Sequence, residues 1–230
     1  MRTVAETGST NADCLALSRD GAPEGLWLRA ERQTAGRGRQ GRAWVSPAGN
    51  LYASTIVRLR PGDPAAATLA LVAAVVLEEV VRFHSDRLVL KWPNDLLLDG
   101  AKLSGILLER AVDAVVIGFG VNLAHHPTDT DRRATSLAAH GARLEPAPFL
   151  EILAETFARW LARWRGEGIA PVRDRWVARA HSAGTALTVR LPDGSSIDGL
   201  FDRLDADGAL ILRLASGERR VIHAGDVFLI

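Results

Sequence analysis

Between residues 65 and 81 the chain is an alanine- and valine-rich apolar stretch, and nothing else in it limits the fold so strongly. Glu78 and Glu79 stand near its end, which argues against a membrane span and for a buried helix over residues 65–83. With 47% apolar and 24% charged residues among 230, the chain can enclose such a helix and has room for one large or two small domains.

Neighbouring segments supply the enclosure. Residues 9–18 read as a helix opened by Ser9, Thr10 and Asn11, with Gly21 beyond its end. Strands are expected over 26–31, 51–59, 88–92, 96–98, 103–109 and 114–120, the shortest pair flanking a Pro93-Asn94-Asp95 turn. Two further helices are expected over 148–164 and 170–180. Residues 1–182 therefore form an α+β unit, a mixed β-sheet packed with helices. After Gly184 the texture changes to short apolar runs punctuated by Pro192-Asp193-Gly194, Asp207-Gly208 and Ser216-Gly217, hairpin signals at regular spacing. Residues 184–230 are expected to form a small β-barrel, too short for a sturdy core of its own and so packed against the first domain.

A formal net charge of +1 gives no general attraction for nucleic acid. The single Cys14 excludes a disulfide framework, and the amino terminus has no basic region followed by an apolar one, so a cytoplasmic location without a membrane role is expected. All but two of the 28 basic residues are arginine. The exceptions, Lys91 and Lys102, stand in one segment and suggest a need there for a compact ammonium.

Residues 33–49 are dense in Gly and Arg and have no periodicity, so they read as a loop. Within them Gly36-Arg37-Gly38-Arg39-Gln40-Gly41-Arg42 matches G-x-G-x-x-G. The dinucleotide fingerprint needs a helix next, where Trp44, Pro47 and Gly49 lead into a strand; the P-loop needs Lys and Ser or Thr, where Arg42 and Ala43 stand. A kinase loop would need Val at position 43 and further triads that are absent. What remains is backbone free to approach an anion, with three guanidiniums as bidentate donors to phosphate or carboxylate. A nucleotide triphosphate, an RNA or plain solvent would each suit that loop taken alone.

Ser9-Thr10-Asn11, Gln33, Gly36-Arg37-Gly38-Arg39-Gln40-Gly41-Arg42-Ala43-Trp44, Lys91-Trp92-Pro93-Asn94-Asp95, Lys102-Leu103-Ser104-Gly105-Ile106-Leu107 and Gly118-Phe119-Gly120-Val121-Asn122 stand in this order. Together they resemble the biotin protein ligase family over nearly the whole chain. The resemblance implies a class II synthetase-like catalytic domain of the biotin/lipoate ligase type, followed by an SH3-like barrel. It implies the monofunctional form, since the first motif starts at residue 9 and leaves no room for a DNA-binding domain. The activity implied has two steps: the biotin carboxylate attacks the α-phosphate of ATP, and a lysine of the biotin carboxyl carrier protein of acetyl-CoA or a related carboxylase attacks the resulting adenylate. ATP and biotin are then substrates, Mg2+ accompanies ATP without a named protein ligand, neither DNA nor membrane is a partner, and a homodimer stays open.

On the same resemblance Lys102 and Arg37 are the charge-stabilising catalytic groups, and Asp95 orients or deprotonates the incoming lysine. Biotin is lined by Ser9, Thr10, Asn11, Gln33, Arg37, Gly38, Arg39, Lys102, Gly118 and Gly120. ATP or the adenylate is held by Arg37, Arg39, Arg42, Trp44, Lys91, Asn94 and Asn122. Plainer readings accompany these: Ser9, Thr10 and Asn11 can simply cap a helix, Asn94 and Asp95 build a turn, and Lys91 pair with Asp95. Gly118 and Gly120 either let a flat ligand lie on a strand or serve close packing, Trp44 either covers the adenine or sits in the core, and the Ser104 hydroxyl would narrow the cleft. His125 and His126 lack a Cys or carboxylate at metal-ligand spacing and read as loop residues. The alternatives are a lipoate-type ligase, whose arginine and triple-glycine motif is absent, and a nucleic-acid-binding module, which the near-neutral charge and the lack of stacking aromatics in the barrel oppose.

Overall fold

The computed structural model describes residues 1–129 and 133–229. Its main sheet is centred on β3 (Leu51–Arg58), β7 (Ala114–Val121) and β6 (Ala101–Arg110), paired antiparallel in that order. On one side β5 (Asp95–Leu98) and β4 (Leu88–Lys91) extend it; on the other, β2 (Trp27–Gln33) pairs antiparallel with β3, and β1 (Arg2–Thr7) pairs parallel with β2. The sheet is therefore mixed, as expected. β1 was not expected: its residues are mostly exposed and alternate weakly, because an edge strand buries little of either face.

Alternation along the central strands assigns the two faces. Val57, Ile117 and Phe119 point into the main core beneath α2 (Leu69–Arg82) and α3 (Pro146–Glu167), where Trp27, Phe119 and Phe157 pack at ring-centroid distances of 5.6–6.2 Å. Ile56 and Val116 point the other way, beneath α1 (Thr10–Arg19), with Cys14 and Leu28. Ser54, Gly118 and Gly120 share that second face by the same parity. Thus the amino end of α1 and two of the motif glycines meet on one surface.

The apolar stretch is α2, enclosed by the sheet, α3 and α4 (Ala170–Val177). Its helix starts at Leu69 rather than at 65, after a short 3-10 turn that follows Pro64. α3 runs longer than expected at both ends; its start reaches back to Pro146 because prolines are tolerated in a first turn, where no backbone donor is needed. On α2, Glu78 is fully buried, with its carboxylate shared among Arg82, Arg175 and Arg179.

The carboxyl-terminal part is a second, antiparallel sheet of β8 (Ala186–Arg190), β9 (Ser196–Leu204), β10 (Leu210–Arg213), β11 (Arg219–Ile222) and β12 (Asp226–Leu229), ordered β11-β10-β9-β8-β12. This is the small SH3-like unit expected, although among the described residues no pairing of β11 with β12 closes it into a ring. Leu187, Val189, Phe201 and Leu212 are continuous with the main core, and Trp92 Nε1 donates to the Gly208 carbonyl at 3.2 Å. The two sheets are thus tied together, as a weak second core requires. Among the described residues no helix is long and apolar enough to cross a membrane.

Candidate active site

A cleft of about 680 Å³ opens on the α1 face of the main sheet. Its floor is backbone: Gly105 on β6 pairs directly with Gly120 on β7, beside Leu107 and Gly118. Ser9, Thr10, Asn11 and Gln33 close one end, Asn94, Asp95, Lys102 and Asn122 the other, and Arg37, Gly38, Arg39, Arg42 and Trp44 form the roof. Residues up to 219 positions apart in sequence, from Ser9 to Phe228, converge here.

The polar end begins where α1 begins. Ser9 is the helix N-cap but makes no side-chain cap hydrogen bond, so its hydroxyl is not committed to capping. Thr10 donates its backbone N–H to Gln33 Oε1 at 2.9 Å, and its hydroxyl lies 2.8 Å from that of Ser54. Ser54 Oγ donates to Asn11 Oδ1 at 2.6 Å, while Asn11 Nδ2 donates to Glu109 Oε2 at 2.9 Å. A Cβ at Gly118 would overlap the Asn11 amide. The space beside Gly118 is therefore filled by the protein's own side chain rather than left as a slot for a flat ligand.

The glycine-arginine loop is a finger. Arg37 bridges Ala43, Gly38 N–H donates to the Arg42 carbonyl at 2.7 Å, and Trp44 N–H donates to the Gly36 carbonyl at 2.9 Å. A Cβ at Gly36 would stand 2.5 Å from the Trp44 carbonyl oxygen, so the neck of the finger needs that glycine. Gln33 Nε2 donates to Ser46 Oγ and Ser46 Oγ to the Trp44 carbonyl, tying the polar end to the finger's base. At the tip Arg39 donates to Asn94 Oδ1 and to the Gly225 carbonyl, each at 3.3 Å, and both Arg39 and Arg42 pair with Asp226. Arg37 lies 3.7 Å from Glu109. The three guanidiniums thus face the cleft with carboxylates as their partners, positions that an anionic ligand would share.

Trp44 lies in the cleft, not in the core. Its indole covers the floor so closely that a Cβ at Gly120 would be 2.6 Å from Nε1. That buried Nε1 has no hydrogen-bond partner among the described residues. Lys102 Nζ stands 5.5 Å from the Trp44 ring centroid and donates to Asp95 Oδ1 at 2.6 Å. Lys91, nearly buried, reaches the other Asp95 oxygen at 3.9 Å from behind and is not among the residues lining the cleft. Of the two readings of Lys91, the contact with Asp95 is the one the structure contains. Asn94 Nδ2 donates to the Ile106 carbonyl at 2.6 Å, and Asn122 Nδ2 to that of Thr135 at 3.0 Å, holding the wall near Lys102.

Ser104 is fully buried and donates to the Gly120 carbonyl at 2.6 Å, so its hydroxyl braces the floor instead of narrowing the cleft. Cys14, under α1, has its thiol pushed up to about 12, chiefly by burial, and is no nucleophile at neutral pH. His126 Nδ1 lies 3.0 Å from Ser136 Oγ, and no group of three metal-binding side chains occurs among the described residues. Sequence reasoning missed Ser54, Glu109 and the second-sheet residues Arg190, Asp226 and Phe228. The polar Ser54-Thr55 pair inside a buried, mainly apolar strand was a usable signal; the last three carry none, since only the docking of the two sheets brings them to the cleft.

Comparison with known proteins gives concordant matches. The Biotin/lipoate A/B protein ligase family matches residues 8–122, and the Biotin protein ligase C terminal domain matches residues 186–230. The biotin--[acetyl-CoA-carboxylase] ligase of Paracoccus denitrificans is 42% identical over 98% of both chains. Its Mycobacterium tuberculosis counterpart is 39% identical over 97% of this chain and 86% of its own. Among solved structures, the biotin protein ligase from Aquifex aeolicus in complex with biotin and ATP superimposes with a TM-score of 0.87 at 25% identity, covering 99% of this chain and 97% of that one.

Proposed function

Because the chain belongs to the biotin/lipoate A/B protein ligase family, we propose that its cleft activates biotin with ATP and transfers it to a lysine of the carboxyl carrier protein of acetyl-CoA carboxylase. The observation that carries this reading is the polarity of the cleft: the neutral hydrogen-bonding groups of Ser9, Thr10, Asn11 and Gln33 at the α1 end, and Lys102 with Arg39, held on Asn94, at the other. A cyclic urea with a carboxylate tail matches that gradient, whereas the dithiolane ring of lipoate would bring no hydrogen-bonding group to the lone pairs of Thr10 and Gln33.

In the first step a biotin carboxylate oxygen attacks the α-phosphorus of ATP, the bond to the bridging oxygen breaks, and pyrophosphate leaves. MgATP is the substrate, with the metal carried by its phosphates. Charge moves onto the leaving oxygens, so the useful protein groups are fixed cations, and Lys102, Arg37 and Arg39, which line the cleft, would supply them. Asp95 holds Lys102 in its rotamer until the substrates' negative charge competes for it. In the second step the carrier amine attacks the acyl carbon, AMP leaves, and the amine's proton must go to a base. Asp95 is suited to orient or accept it once Lys102 has turned to the phosphate.

The test is ATP-dependent transfer of labelled biotin to a carboxyl carrier domain, with lipoate run in parallel. Lys102→Ala and Arg37→Ala should each lower transfer by about 10²–10³-fold, the usual cost of removing one charge-stabilising group. Folded wild-type protein that transfers lipoate and not biotin would overturn the reading.

A further inference from the structure

Glu109 stands at the outer end of β6, two residues beyond Leu107 on the cleft face, and it does not line the cleft. We infer that Glu109 sets the direction of the hydrogen bonds at the polar end of the pocket, and so acts as a positioning residue that selects ligands offering N–H donors there.

The argument follows the protons. A carboxylate only accepts, so Asn11 must turn its NH2 toward Glu109 Oε2 at 2.9 Å, where the Leu107 carbonyl at 3.3 Å takes the same group. The Asn11 carbonyl oxygen then faces the fully buried Ser54, whose only hydroxyl proton goes to it at 2.6 Å. With that proton committed, the 2.8 Å contact between Ser54 and Thr10 has one assignment: Thr10 donates and Ser54 accepts. Thr10 Oγ1 is left with lone pairs for the pocket, and its 3.2 Å approach to Gln33 Oε1 carries no proton. The Gln33 amide is fixed from the other side, since its Nε2 donates to Ser46, which donates onward to the Trp44 carbonyl. Gln33 Oε1 therefore also faces Thr10 and the pocket as an acceptor. One carboxylate, acting through Asn11 and Ser54, fixes Thr10 as an acceptor beside the one that Ser46 fixes on Gln33.

A cyclic urea brings two N–H donors to such a pair. A ring of the same shape with oxygen in place of those N–H groups brings only lone pairs and is repelled. Arg37, 3.7 Å from the second Glu109 oxygen, balances the carboxylate's charge while the first oxygen holds Asn11.

This inference rests on biotin being the occupant, so the experiment separates the two. Binding of biotin and of its cyclic carbonate analogue is measured by calorimetry on the full chain, together with steady-state transfer kinetics. In Glu109→Gln the new amide can present its own NH2, which lets Asn11 flip and reverses the chain. The expected result is roughly tenfold weaker biotin binding, the equilibrium effect of one hydrogen bond. The loss should lie in KM for biotin rather than in kcat, the preference for biotin over the carbonate should shrink, and the melting temperature should be unchanged. Should Glu109→Gln not fold, Ser54→Ala, which breaks the middle link, is expected to lose the same discrimination. A variant that keeps wild-type affinity and preference, or loses both ligands equally, overturns the role of Glu109. Wild-type protein that binds no biotin overturns the functional reading along with it.

Discussion

Gly118 lacks a side chain because Asn11 occupies the room one would need. Alanine there would push the Asn11 amide away from Ser54 and Glu109, so Gly118→Ala should weaken biotin binding by about tenfold or more with little change in ATP affinity, as calorimetry can check. At this scale the sequence was legible in identities and not in contacts. The resemblance named Ser9, Thr10, Asn11, Gln33, Arg37 and Lys102, and all of them line one cleft. Spacing alone could not have joined Asn11 to Glu109, nor shown that Gly118 makes room for an asparagine. Of the two readings of Lys91, phosphate holder or partner of Asp95, the second is a contact that the i,i+4 spacing allows and the fold contains, at 3.9 Å.

Among the elements, α2 holds the molecule together, and its one fully buried charge joins it to α4. Glu78 bonds Arg82 on its own helix and Arg175 and Arg179 near the chain's second half. Removing the carboxylate leaves partly buried guanidiniums facing one another, so Glu78→Ala should cost about 2–4 kcal/mol in urea unfolding, with a smaller cost when Arg175 is also removed. Helices and central strands were readable because each presents a sustained apolar period to a core. β1 was not, since an edge strand with exposed faces writes no such period, and the helix ends moved by a few residues where prolines sit in a first turn.

For the molecule as a whole, the junction between the two sheets carries a pH sensitivity. Burial, reinforced by the charge of Lys91, holds the His181 imidazole below its ordinary value, and its buried Nε2 has no partner among the described residues. The folded protein therefore resists protonation that the unfolded chain accepts near pH 6.5, so stability should fall as pH drops below about 6.5. His181→Gln should flatten that slope in melting temperatures measured between pH 5 and pH 7; an unchanged slope would assign the sensitivity elsewhere. Hairpin signals disclosed the second sheet, yet its delivery of Asp226 and Arg190 to the cleft depends on docking, which no local pattern encodes. Finally, both lysines of the chain converge on Asp95, one nearly buried and the other hydrogen-bonded. The adenylate proposed as the product seeks out amines, and on the outer surface it would find no lysine: a molecule that escapes before its carrier arrives would pass over a coat of arginines that it cannot mark. Incubation with biotin and ATP alone should leave both lysine-bearing peptides unmodified in mass spectra, and acylation of either would mean that its amine readily leaves the aspartate.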